Sequence, residues 1–206
     1  MNSQSNVAIS GTRSFAVTRG STAPLSYRLR NFLNVWRGLW RIYVARVFGV
    51  SNVIGSLTAR VIRADGSVVN YGLVSLRVVT DAGVAFIVDA FQNLVELEIM
   101  KYHGFGTGTT AEAAGDTALV TELTTQYATD NVRPTGTLAE GATGNIFRTV
   151  GTLSPDATVA ITEHGIFSQA AVAGGTLLDR SKFSAINLVS GDSLQVTYEL
   201  TFTSGS

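Results

Sequence analysis

Ser193-Leu194-Gln195-Val196-Thr197-Tyr198-Glu199-Leu200-Thr201-Phe202-Thr203 alternates strictly, with apolar residues at 194, 196, 198, 200 and 202 and polar ones between. Successive side chains of a β-strand point to opposite faces, so this run predicts a strand with one face in a core and the other solvated or paired. The chain before it has the same character. Of the 24 threonines, 19 lie after His103, among many glycines and with no convincing helical stripe. Threonine favours strands and glycine favours turns, so this half is expected to be all β. Further strands are predicted over 118–125, 133–138, 145–153, 158–167, 177–183 and 185–189. Turns fall at Glu140-Gly141, Ser154-Pro155-Asp156, Ala173-Gly174-Gly175 and Ser190-Gly191-Asp192. The alternation breaks at Glu163-His164-Gly165, where a bulge would return Ile166 or Phe167 to the core face. Short strands at intervals of roughly ten residues point to a β-sandwich or jelly roll.

Toward the N-terminus, 57–63 reads as a strand, and Ala64-Asp65-Gly66-Ser67 carries the Asp-Gly signal of a tight hairpin leading into a second strand over 68–79. Thr80 or Asp81 then caps a short helix over about 81–94. There Val84, Ile87, Val88, Phe91 and Leu94 recur at three- and four-residue intervals as a stripe expected to pack on the sheet. A second helix is predicted over 31–49: at 100° per residue, Phe32, Trp36, Leu39, Tyr43 and Val47 share one side while Arg30, Arg37 and Arg41 gather opposite. Residues 1–26 are rich in Ser, Thr, Asn and Gly and read as an extended arm. The resulting division is a basic N-terminal arm and helix over 1–56, followed by a β-sandwich or jelly-roll domain over 57–206.

Composition limits the function classes. Hydrophobic residues are 45% and charged residues 15% of the 206, as in a folded protein whose surface relies on Thr, Ser and Asn more than on ions. There is no cysteine, which removes disulfides and thiolate metal sites. The first residues carry no basic stretch followed by an apolar core, so no secretory signal is expected. The most apolar region, 32–50, is interrupted by Arg37, Arg41 and Arg46, which argues against a membrane span. Zero net charge hides a polarity: through His103 there are eleven basic and five acidic residues, and after it four and ten. No acid precedes Asp65, whereas nine arginines and no lysine occur up to Arg63. A one-sign segment calls for an acidic or polyanionic partner.

The arginines Arg13, Arg19, Arg28, Arg30, Arg37, Arg41 and Arg46, interleaved with Trp36, Trp40 and Tyr43, are therefore the candidate binding residues. Exclusive use of arginine suits bidentate bonds in a protein interface, and the aromatics are types that anchor interfaces. Subunit contact ranks first, an ordinary solvated helix face second and nucleic acid third.

Catalytic readings are weaker. His103 and His164 lack further ligands at metal spacing and read as paired structural histidines at strand ends. Gly104-Phe105-Gly106-Thr107-Gly108 lacks the flanking strand and helix of a nucleotide loop and reads as a mobile loop or a positive-φ turn. Glu112, Asp116, Glu122, Glu140 and Glu163 read as solvated surface acids rather than a glycosidase pair. No enzyme, metal or cofactor is expected.

The runs Lys101-Tyr102-His103-Gly104-Phe105-Gly106-Thr107-Gly108-Thr109-Thr110-Ala111-Glu112, Asp116-Thr117-Ala118-Leu119, Thr121-Glu122, Ile161-Thr162-Glu163-His164-Gly165-Ile166-Phe167, Leu177-Leu178-Asp179-Arg180-Ser181-Lys182-Phe183 and Gly191-Asp192-Ser193-Leu194 resemble virion structural proteins of tailed bacteriophages, over residues 74–204. The resemblance implies a particle component: a capsid decoration (cement) protein, or a tail, collar or fibre-attachment protein. The expected partners are the major capsid protein and copies of the chain itself, in a homo-oligomer such as a trimer, with neither membrane nor nucleic acid. The expected location is the capsid surface of a virion assembled in the host cytoplasm. A glycan- or receptor-binding module, using loops 104–115 and 170–176, is the reading from a different class.

Overall fold

A computed structural model describes residues 20–47 and 52–203. The fold is mainly β, with two sheets and two helices. The larger sheet has six strands in the order β1-β3-β2-β9-β6-β5, formed by β1 (Gly20–Thr22), β2 (Asn52–Ile62), β3 (Val68–Val78), β5 (Thr137–Glu140), β6 (Ile146–Leu153) and β9 (Ser193–Thr203). The smaller has three, β4-β7-β8, from β4 (Tyr102–Gly106), β7 (Val159–Phe167) and β8 (Leu177–Leu188). All pairings are antiparallel except β1 with β3. Helix α1 (Leu25–Val47) lies against β3 and β8, and α2 (Asp81–Phe91) against β8, followed by a 3-10 turn at Leu97–Ile99.

The alternating run is β9, with the bounds expected, lodged between β2 and β6. Leu194, Val196, Tyr198 and Leu200 are buried, and the residues between are half-buried as their neighbours' side chains pack beside them. These four join Leu57, Ala59 and Val61 of β2 and Phe105, Ile161, Ile166, Phe183, Ile186 and Leu188 of the smaller sheet in one apolar cluster. The hairpin β2–β3 turns at Asp65-Gly66, Gly66 with φ of +80°. Asp192, in the turn between β8 and β9, accepts hydrogen bonds from the Arg63 guanidinium and from the amides of Ala64 and Val189, which ties that turn to the β2–β3 hairpin.

Several expectations need correcting. Residues 118–125 form no strand but a loop bridged to Gly106 at Glu122, and the strand expected over 133–138 begins only at Thr137. The strands expected over 177–183 and 185–189 are one continuous β8. The bulge expected at Glu163-His164-Gly165 is absent: Glu163 to Ile166 pair in regular register with Lys182 to Asp179, and the two register shifts, between Ile161 and Glu163 and between Ile166 and Phe167, put the extra residues on β8; residues 163 to 167 are all buried. The glycine run 104–108 is not a mobile loop: Gly104 and Gly106 belong to β4, and neither has positive φ. A Cβ on Gly104 would stand 2.6 Å from the Phe167 ring, so close approach, not an unusual backbone, requires glycine there. Of the arm expected over 1–26, residues 1–19 lie outside the described residues. From Gly20 the chain is built into the body: β1 lengthens the sheet edge, the Ala23 amide donates to the Asn70 carbonyl, and α1 starts at Leu25.

Candidate protein-contact surface

Helix α1 meets the sheets along a narrow seam. Tyr27 is buried edge-on against Tyr71, with ring centroids 4.7 Å apart. Asn31, also buried, donates to the Val74 carbonyl of β3 at 2.8 Å and accepts from the Ser184 amide of β8 at 3.0 Å, so one side chain fastens the helix to both sheets. Gly38 abuts the Leu76 backbone so closely that a Cβ would collide with it. A glycine in mid-helix costs about 1 kcal/mol relative to alanine; here it lets helix and strand approach. Tyr27, Asn31 and Gly38 lie within a narrow sector at 100° per residue, with half-buried Val35 and Ile42 beside it, and the large apolar side chains from Leu25 through Phe32, Trp36, Leu39, Trp40, Tyr43 and Val47 lie on the other side.

The apolar stripe therefore points away from the protein's own sheets. Leu25, Leu29, Phe32, Leu33, Trp36, Leu39, Trp40, Tyr43 and Val47 are exposed, Trp36 at 54% and Trp40 at 59%. Phe32 stacks on Trp36 and Trp40 tilts against Tyr43, each pair with centroids 5.8 Å apart, giving a continuous aromatic surface. By helical angle Arg30, Arg37 and Arg41 border this surface on one side and Arg28 on the other; all four are exposed. Among the described residues none of the four forms an ion pair, and α1 contains no acid. Arg13 and Arg19 lie outside the described residues, as does the Arg46 side chain. Seven of the ten residues singled out from sequence thus share one exposed helix.

A second exposed apolar patch went unread. On α2 the buried residues are Gly83, Phe86 and Ile87. Of the stripe expected to pack on the sheet, only Ile87 does so; Val84, Val88, Phe91 and Leu94 are exposed, Phe91 at 82%, with Leu97 beside them.

The groups with catalytic potential are sealed inside. His103, the second residue of β4, and His164, inside β7 rather than at its end, are fully buried and paired, with Nδ1 of the first 3.0 Å from Nε2 of the second. The Thr149 hydroxyl lies 3.1 Å from His103 Nε2. Burial pushes the His103 imidazole down to about 3, and burial followed by the neighbouring ring holds His164 well below the usual range. Both rings are therefore neutral at physiological pH. The acids are not all surface groups, contrary to expectation. Glu163 is fully buried, accepts from the amides of Gly108, Val120 and Thr121, and pairs with Arg180, which also bridges to Asp116 at 2.9 Å. Glu122 pairs with buried Arg133, whose guanidinium lies 3.5 Å over the Phe167 ring. These pairs clamp the long connection between β4 and β5 onto the smaller sheet. Phe105, the only aromatic within 104–115 and 170–176, is fully buried.

No protein-family model and no curated protein matches the chain. Among the described residues no group of three or more His, Asp or Glu could hold a metal ion, and no helix is long and apolar enough to cross a membrane.

Proposed function

We propose that the protein is a structural subunit of a tailed-bacteriophage particle, most specifically a capsid decoration (cement) protein whose body is a β-sandwich of the jelly-roll kind. One observation carries this: a 23-residue helix whose apolar face and four arginines are, among the described residues, exposed and turned away from both sheets. Exposed apolar patches of this extent, centred on Trp and Tyr and bordered by Arg, are typical of protein interfaces. Among the described residues these arginines have no ion-pair partner, and on this reading their counter-charges lie on another molecule. The partners are the major capsid protein and further copies of this chain, and stability rises by mass action as each contact forms. The sealing of both histidines and of the Glu163 cluster favours a role without turnover, and the burial of Phe105 counts against glycan recognition through loop 104–115.

Imaging of particles that carry a labelled copy tests the proposal. Hundreds of copies over the shell support decoration. A few to a few dozen copies at one vertex transfer the protein to the tail or collar, and absence from the particle overturns the reading.

A further inference from the structure

The two exposed apolar patches are complementary in charge. Helix α1 carries Arg28, Arg30, Arg37, Arg41 and Arg46 and no acid. From Asp81 to Met100 the chain carries Asp81, Asp89, Glu96 and Glu98 and no base. Each segment couples its single sign of charge to exposed apolar side chains: Trp36 and Trp40 on the first, Val88, Phe91 and Leu94 on the second. Among the described residues no ion pair involves Arg28, Arg30, Arg37 or Arg41, nor any of the four acids.

We infer that α1 of one copy docks on the α2 and 3-10 turn surface of a second copy, making a heterologous, self-complementary interface between identical chains. Symmetric pairing of α1 with α1 would bring arginine borders together, and pairing of α2 with α2 would do the same with acids; like charges juxtaposed across an interface suppress both. The heterologous pairing matches sign to sign around two apolar centres. Such an interface uses a different patch on each side, so each added copy leaves one α1 and one α2 surface free, and growth stops only when a ring closes. This rests on reading α1 as a protein-contact surface and names its partner. A closed ring would present several copies of any shell contact at once, raising occupancy by avidity.

Two variants of the full chain provide the test. Trp36→Gln with Trp40→Gln disables α1, and Phe91→Gln with Leu94→Gln disables the α2 surface, without giving the two disabled patches opposite charges; all four positions are exposed, and circular dichroism with a cooperative melt checks the fold. By light scattering, the unaltered protein is expected to be multimeric and each variant monomeric. A 1:1 mixture of the variants should give a dimer and nothing larger, because one good interface remains between them. A milder pair that removes charge without reversing it, Arg37→Ala with Arg41→Ala and Asp89→Ala with Glu96→Ala, repeats the experiment if either first variant melts without cooperativity. The inference is overturned if the unaltered protein is monomeric at tens of micromolar, including the case in which it binds phosphatidylserine vesicles instead. It is equally overturned if the α2 variant stays multimeric, or if folded variants fail to combine. Shell binding is measured separately: a multimer absent from particles ends the decoration proposal alone, and a monomer bound to shells ends this inference alone.

Discussion

Acidification to pH 5 should destabilise the fold through the buried His103–His164 pair. In the unfolded chain a histidine takes up its proton near pH 6.5. In the folded protein burial pushes His103 down to about 3. Between these values the unfolded state binds a proton that the folded state refuses, so stability is full above pH 6.5, falls as the pH drops through it, and levels off near 3. Each pH unit in that window is worth about 1.4 kcal/mol per group, and at pH 5 the loss from His103 alone is about 2 kcal/mol. His164 is displaced in the same direction and adds a loss of the same sign. Set against a typical domain stability of about 5–15 kcal/mol, this is readily measured. Urea unfolding at pH 7.5 and at pH 5.0 gives the difference directly, and His103→Gln, which retains a hydrogen-bonding group for Thr149 without a titrating ring, supplies the control. The variant can be less stable at both pH values; the quantity that matters is its smaller drop between them. Equal stability of the unaltered protein at the two pH values, or an undiminished drop in the variant, would refute the burial argument.

Three further outcomes follow from single contacts. Arg180→Ala leaves Glu163 charged and unpaired in a fully buried site, so a loss of about 3–5 kcal/mol is expected in chemical denaturation, with faster proteolysis of the 107–122 segment that Glu163 holds. Gly104→Ala drives a Cβ to 2.6 Å from the Phe167 ring and should cost about 1–3 kcal/mol, read as a lowered Tm without loss of β signal. Thr80→Ala removes both the cap on the Gly83 amide and the buried 2.6 Å bond to the Leu177 carbonyl, for an expected loss of about 1–2 kcal/mol by urea titration.

Much of the fold was legible because local rules and tertiary environment agree. In β9 the period-two pattern and the burial match from Leu194 to Leu200, since a strand held between two others has one face for the core and no freedom to slip; Phe202, expected on the same face, is exposed at the strand's end. The Asp65-Gly66 turn was legible for a similar reason: its positive φ is a local demand. What escaped was set by distant residues. Gly104 and Gly106 carry turn chemistry in sequence, yet they are strand residues because Phe167 and the Glu163 side chain occupy the space a Cβ would need. The connection 107–136 imitates strands with its threonines, but its amides are used by a carboxylate 42 or more residues away, and no local signal announces that.

The helices mark the boundary of what periodicity can decide. An amphipathic pattern states that one face is apolar, not that the chain itself covers it. In α1 the seam is made by Tyr27, Asn31 and Gly38, which score as polar or neutral, because Asn31 bonds two strands at once and Gly38 permits the approach to Leu76. The strongest stripe, with Phe32, Trp36, Trp40 and Tyr43, is left over. In α2 the same happens to Val88 and Phe91 once Phe86 and Ile87 have filled the space beside β8. A hint was nevertheless present: arginine alone beside the first stripe and acid alone beside the second. A helix that packs on its own sheet has no need to segregate charge sign along its border, whereas a surface that must choose its partner does. Charge segregation around an apolar stripe is thus the feature that separates the exposed stripes from the core-facing ones in this chain, and the proposal that they dock on a partner draws on it.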